Sequence, residues 1–294
     1  MNPRSGELPG SLLSLVPPVL RARDFHLYTK KGRLTDLWQA GGAAVLGHTP
    51  PSVLRELKNA ADRRLFVPFP HPLQRRFLKA LSLLFPGRIF RVYGPGSSLR
   101  GILEAAGLDC ARIPDPAGPR TQAAPERAPL SLWRPFVDPA FPLAVPEHIP
   151  VLIPVLPVIP PGYGTETGGP PWPCGIGVLA LDPALEGSFP PPDIVAPALL
   201  AAAARGVYDL AAMAEERGKT SFRKINRIPE NGVWRLRGIY LEAVREGYTE
   251  DYAALFRRFL DGGFLLPPDP ASPVILPGAL SPGEEAKLAV LLAE

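Results

Sequence analysis

The stretch Phe85–Gly107, FPGRIFRVYGPGSSLRGILEAAG, reads as strand, glycine turn, helix. Ile89, Phe90, Val92 and Tyr93 suit a short buried strand. Gly94-Pro95-Gly96 cannot continue it. Ser97 or Ser98 then caps a helix whose apolar side holds Leu99, Ile102, Leu103 and Ala106. Such a turn gathers free backbone N–H groups and serine hydroxyls at one point, where the helix dipole favours an anion, so the candidate ligand is a phosphate. The same residues also make an ordinary strand-to-helix turn, which a lone glycine motif does not exclude.

Outward from that stretch, the 294-residue chain is long enough for one large or two smaller cores. Its charge is +4, and no basic run is interleaved with aromatics, so nucleic acid is not expected as a partner. Its two cysteines, Cys110 and Cys174, form no metal-ligand pattern, and no zinc site or disulfide scaffold is expected. Leu12–Leu20 is apolar but broken by Pro17-Pro18, and no apolar run reaches spanning length. The expectation is a cytoplasmic protein with no membrane partner. Of 40 prolines, 22 lie between Pro114 and Pro197, which forbids an ordinary run of helices and strands there.

Residues 1–24 read as a loose arm. Leu27-Tyr28 and Leu34–Trp38 form a hairpin around Lys31-Gly32. Thr49 caps a helix with Val53, Leu54, Leu57 and Ala61 on one face, and His71–Leu84 is a second amphipathic helix. Asp109–Glu147 reads as loop. Ile149–Ile159, with its prolines, reads as an edge strand or extended segment. Gly175–Leu181 is a strand ending at Asp182, and Ala196–Glu216 is a long helix. Val233–Ala243 is a strand pair around Gly238. Tyr252, Leu255, Phe256 and Phe259 stripe a helix that Gly262-Gly263 ends. Ser281 and Glu284 form a capping box before the last helix.

The order of these pieces resembles the fold-type I enzymes that use pyridoxal phosphate, and most closely class III aminotransferases and glutamate-1-semialdehyde aminomutase. GRLTDLWQAGGAAVLGHTPPSVLREL is similar to their N-terminal hairpin, with Gly47, His48 and Pro51 in its G-H-x-x-P. VYGPGSSLRGILEA falls on the segment that carries S-G-S-E-A, matching at Gly96 and Ser97, while Pro95, Ser98 and Leu99 depart from it. VLALDPALEG is similar to the strand ending in D-E-V-x-x-G, with Asp182 and Gly187 matching and Pro183 and Ala184 departing. GGFLLPPDP and S-P-G-E-E resemble the family's small domain. The resemblance covers residues 25–107 and 176–294.

It implies an α/β, pyridoxal-phosphate-dependent transferase-like fold: a reduced large domain with a parallel-type sheet, and an α+β small domain. The expected division is an arm at 1–24, a large domain at 25–200 that includes the hairpin and the proline-rich middle 108–195, and a small domain at 201–294. It implies Gly96 and Ser97 at the cofactor phosphate, with Ser98 of the same turn as a further candidate, and Asp182 at the pyridinium nitrogen, where a carboxylate helps the ring act as an electron sink. Asp182 also reads as a plain turn cap.

The chemistry requires a lysine to hold the aldehyde as a Schiff base. The family places it after P-D-I, here Pro192-Asp193-Ile194, so its position falls at Leu199 or is deleted. No lysine occurs between Lys79 and Lys219. The reading is therefore an aminotransferase-like protein that has lost Schiff-base catalysis, with no catalytic residue, no metal, and pyridoxal phosphate not covalently bound. Two alternatives stand beside it: an active aminotransferase or aminomutase using Lys219 or Lys224, and a non-covalent phosphate binder. No catalytic role is assigned to His26 or His48. The resemblance implies a homodimer, with an enzyme partner subunit as the other option. The arm and the Tyr/Phe-rich helix are the contact elements it suggests.

Overall fold

The computed structural model describes residues 12–48, 50–110, 113–118, 128–158, 176–218, 222–227, 234–243 and 251–293. Thr49, Cys174 and Lys219 lie outside them. Apolar runs flanked by glycine and proline make short strands in three sheets. The first chain segment forms β1 (Val19–Arg23), β2 (His26–Thr29) and β3 (Gly32–Asp36). Helices α1 (Pro51–Asp62) and α2 (Leu73–Leu84) follow, then β4 (Ile89–Tyr93) and α3 (Leu99–Ala105). The middle holds β5 (Leu130–Trp133), β6 (Val151–Pro154) and β7 (Gly177–Leu181). The long α4 (Pro197–Gly218) leads to β8 (Trp234–Arg237), β9 (Tyr240–Ala243), α5 (Tyr252–Asp261), β10 (Phe264–Leu265), β11 (Val274–Ile275) and α6 (Pro282–Ala293).

The central sheet has the order β4-β7-β6-β5. β5 and β6 run parallel, and β7 is antiparallel to both β4 and β6, so β4, β5 and β6 share one direction. Alternate residues face opposite layers. Val92, Trp133, Leu152 and Val178 join the core beneath α2 and α4, with Phe77, Leu81, Leu200 and Val207. Tyr93, Leu132, Ile153 and Leu179 pack on the other side with Leu99 and Leu103 of α3. Burial on both faces explains why these strands read as continuous apolar runs.

β5 lies within Asp109–Glu147, which the sequence reads as loop. Its four residues, Leu-Ser-Leu-Trp, are too few for a period, yet all four are buried. β6 corrects a second expectation, because it is interior rather than an edge. Val151 and Val155 N–H donate to Pro129 O and Trp133 O on the β5 side. The nitrogens of Pro150 and Pro154 therefore face β7, whose pairing with β6 involves only Val151 and Leu152. Pro154 lies beyond that pairing, and Pro150 takes part only as an acceptor, its carbonyl receiving Asp182 N–H at 2.8 Å.

The N-terminal hairpin packs with C-terminal elements. β10 pairs parallel with β3 in the sheet β1-β2-β3-β10. Leu27, Leu34 and Leu37 share a core with Trp234, Phe256, Phe259, Phe264 and Leu288. The arm is likewise partly structured: β1 pairs antiparallel with β2 and Leu12 enters the same core. A boundary at residue 200 would cut α4, which packs on α1 and α2. α4 ends on Arg217, buried between the rings of Phe25 and Phe136 at 5.7 and 5.9 Å. Its Nη2 donates to Leu276 O at 2.7 Å, and burial lowers its pKa to about 10, leaving it charged at neutral pH.

Candidate functional site

In an open α/β sheet, ligands bind beyond the carboxyl ends of the parallel strands. Here that edge carries the Gly94–Ser98 turn after β4, Arg134 after β5, and Val155–Val158 after β6.

Ser98 caps α3, its Oγ accepting Gly101 N–H at 3.1 Å. Ser97 turns the other way. Its Oγ donates to Asp193 Oδ2 at 2.5 Å, and Gly94 N–H donates to the same oxygen at 2.8 Å. Asp193 is held in place because its own N–H donates to Val92 O at 2.9 Å. An anion does sit at the turn, but it is the chain's own carboxylate. Gly96 has ordinary φ, and a Cβ added there meets nothing within 4 Å.

Asp182 lies at the other end of the sheet. The antiparallel register pairs Tyr93 with Gly177 and Ile89 with Leu181, so Asp182 follows the Ile89 end. The register puts it opposite Arg88, six residues from Gly94, a separation of roughly 20 Å at strand rise. Its Oδ1 accepts Ala184 N–H at 2.9 Å, capping the turn Pro183–Ser188. Gly96, Ser97 and Ser98 are thus brought together, and Asp182 is not among them.

The remaining edge is filled by the chain itself. Leu199 lies in the first turn of α4, packed against the core. After β6 come Val155 and Leu156, both buried, and Val158 N–H donates to Ala43 O at 2.7 Å. Gln39, Ala40, Gly41 and Gly42 all have positive φ (50°, 49°, 70° and 115°), and Gln39 and Ala40 lack the freedom of glycine there. The loop is fixed by many partners. Asp36 Oδ1 accepts the N–H of Trp38 and of Gln39, each at 2.9 Å, and Gln39 Nε2 donates to Ile275 O at 3.0 Å. A Cβ on Gly42 would stand 2.8 Å from Val155 Cγ1.

Arg134 anchors this loop to β5. Its Nη1 donates to Gly41 O at 2.6 Å, and its Nε donates to both oxygens of Asp115 at 2.8 and 2.9 Å. Tyr240 OH donates to Pro135 O at 2.8 Å, and complete burial pushes its pKa well above the usual phenol value. Asp193, Arg134 and Asp115 were absent from the residues singled out by sequence. Asp193 stood within the quoted P-D-I, but nothing local indicated that it would reach a turn 99 residues away.

The two histidines are structural anchors. His48 Nε2 pairs with Asp36 Oδ2 at 2.8 Å, and His26 Nε2 with Glu284 Oε1 at 2.9 Å. Lys224 Nζ donates to Pro282 O at 3.1 Å beside the start of α6. The Tyr/Phe stripe of α5 is core rather than surface: Tyr252, Phe256 and Phe259 are buried. Among the described residues the exposed aromatics are Phe141 and, between α1 and α2, Phe66 and Phe69, which flank the exposed Val67.

These residues do not fit pyridoxal phosphate as a Schiff base. The turn's donors serve a carboxylate, Asp182 is remote, and apolar side chains fill the edge. Among the described residues no helix is long and apolar enough to cross a membrane.

No family model matches the chain. A protein of Treponema pallidum (strain Nichols), named only as uncharacterized, is 27% identical over 283 residues, spanning 88% of each chain. Solved structures share the architecture. Plasmodium falciparum ornithine delta-aminotransferase superposes with TM-score 0.62 at 11% identity, covering 98% of this chain and 97% of that one. Acetylornithine aminotransferase from Elizabethkingia anophelis gives 0.62 at 10% identity, with 98% of each covered. N-acetylornithine aminotransferase from Stenotrophomonas maltophilia K279a gives 0.56 at 13%, with 95% and 94% covered. At such identities the likeness is one of fold, and on that ground the chain has the α/β fold of the pyridoxal-phosphate-dependent aminotransferases.

Proposed function

We propose that this chain is an aminotransferase-fold protein that has lost Schiff-base catalysis and acts by binding or as a structural partner. The observation that carries this reading is the Asp193 carboxylate at the Gly94–Ser97 turn. A phosphate brought to the same donors would meet that like charge and would have to displace it. The sequence supports the same reading, because no lysine stands between Lys79 and Lys219. The proline-rich middle, with four strands in the central sheet among the described residues, is in keeping with a reduced large domain.

Titration of the purified protein with pyridoxal phosphate, followed by absorbance, borohydride reduction and peptide mapping, tests the reading. The expected result is no imine band and no stoichiometric adduct. A stoichiometric adduct on one lysine, Lys219 or Lys224 included, overturns it and restores the enzyme alternative.

The homodimer implied by resemblance belongs to this proposal, with the Phe66–Phe69 linker as its contact. Phe66, Val67 and Phe69 are each more than half exposed, at 58%, 54% and 55%. Clustered apolar exposure of this kind marks interaction surfaces. Light scattering at micromolar concentration decides it, and a monomer there refutes it.

A further inference from the structure

A cavity of about 660 Å³ opens beside the outer edge of β5. There Leu132 N–H donates to Pro114 O at 2.9 Å, so the segment running on to Asp115, Pro116 and Gly118 forms one wall. The stretch Val137–Ile149 contributes the opposite wall, and Arg237 at the end of β8 contributes the C-terminal unit's share. A cleft of this volume, between two units and at the carboxyl end of a parallel strand, is the usual setting for a small-molecule site.

The polar groups in the wall define the ligand. The Asp115–Arg134 pair is closed on itself: Arg134 spends Nε and Nη2 on Asp115 and Nη1 on Gly41 O. Asp115 Oδ1 also accepts Ala117 N–H at 2.9 Å. Ser131 Oγ is turned to Pro114 O and Leu132 O. Asp138 is exposed, and its Oδ1 accepts Ala140 N–H at 2.8 Å. Arg237 differs. Its Nη1 donates to Pro116 O at 2.7 Å, which fixes the guanidinium on the wall, while Nε and Nη2 have no protein partner among the described residues. The rest of the lining is largely apolar, with Leu132, Trp133, Val145 and Ile149.

The wall is also rigid. Phe136, next to Arg134-Pro135, has φ 64°. Ile239 N–H donates to its carbonyl oxygen at 3.3 Å, and a Cβ on Gly238 would fall 1.8 Å from that oxygen. Strained backbone held by close packing is characteristic of preorganised sites.

We propose that this cavity binds a small carboxylic acid with an apolar body, its carboxylate paired with Arg237 and its body against Trp133, Val145 and Ile149. The site stands apart from the Gly94–Ser98 turn, and its existence does not depend on whether that turn takes a cofactor.

Isothermal titration of the full chain with octanoate, and with octan-1-ol as the uncharged control, tests the proposal. Octanoate binds the wild type with a Kd below about 1 mM. Arg237→Gln, a change at an exposed side chain, weakens octanoate about tenfold or more and leaves octanol unchanged, since a charge-assisted pair is lost. Val145→Trp, with the unfolding midpoint checked, blocks both. Absence of octanoate binding to the wild type overturns the proposal. So does an R237Q variant that binds octanoate as tightly as the wild type, or one that loses octanoate and octanol equally.

Discussion

Replacing Glu284 with glutamine removes the charge that ties the last helix to the N-terminal hairpin. Glu284 Oε1 accepts Arg33 Nη2 at 2.8 Å, Thr35 Oγ1 at 3.2 Å and a proton shared with His26 Nε2 at 2.9 Å. Its Oε2 accepts Ser281 N–H at 2.9 Å, and Glu284 N–H returns a bond to Ser281 Oγ at 3.2 Å. Burial alone would raise its pKa. The bonds from the Ser281 backbone and hydroxyl, then from His26, outweigh it and hold the carboxyl down at about 2 instead of 4.5.

A carboxyl whose folded pKa is depressed contributes stability that is fully present above the unfolded pKa, here above pH 4.5, and is lost as pH falls through the folded value near 2. The difference corresponds to about 3 kcal/mol by linkage, and solvent at the partly open site reduces it to about 2. Urea unfolding at pH 7, 5 and 3 measures it. Glu284→Gln is expected to lose about 2 kcal/mol at pH 7 and to show a flatter acid limb than the wild type. An unchanged stability at pH 7, or an acid limb identical to the wild type's, would refute the reasoning, because the network would then contribute nothing.

Four further single substitutions follow from the turn and the loops around it. Asp193→Ala leaves Gly94 N–H and Ser97 Oγ without their acceptor and lowers unfolding free energy by about 1–3 kcal/mol in a urea titration. Gly96→Ala is the matched control: the turn has open space there, so the midpoint stays put. Arg134→Met leaves the Asp115 carboxylate, 12% exposed, without its cation, and costs about 3–5 kcal/mol, of which Asp115→Leu in the double variant restores part. Gly238→Ala drives a methyl group into Phe136 O at a φ of 60°, and thermal melts should register a loss above about 3 kcal/mol, or no folded protein.

Much of the local structure was legible. The strand Ile89–Tyr93, the Ser98 cap and the Ser281–Glu284 capping box depend on neighbours within a few residues, and each occurs as read. β5 was not legible, because four apolar residues between prolines carry no period and take their strand form from pairing with β6. The edge assignment of β6 failed for a related reason. Proline content alone does not reveal which side of a strand its missing donors face, and here they face β7 at the two ends of a short pairing.

The candidate site shows the same division more sharply. The chain's residues by themselves determined that a glycine turn precedes a capped helix, and that no lysine stands within reach in sequence between Lys79 and Lys219. Both are properties of composition and of short spacing. Only the tertiary structure decided what the turn faces. Asp193 comes to Gly94 across 99 residues, and the antiparallel direction of β7 carries Asp182 to the far end of the sheet. The parallel pairing of β3 with β10 likewise joins the first hairpin to a strand more than 200 residues further along the chain. Strand direction and partner are settled by which apolar faces are buried together, a long-range balance of packing against chain entropy that no local propensity encodes.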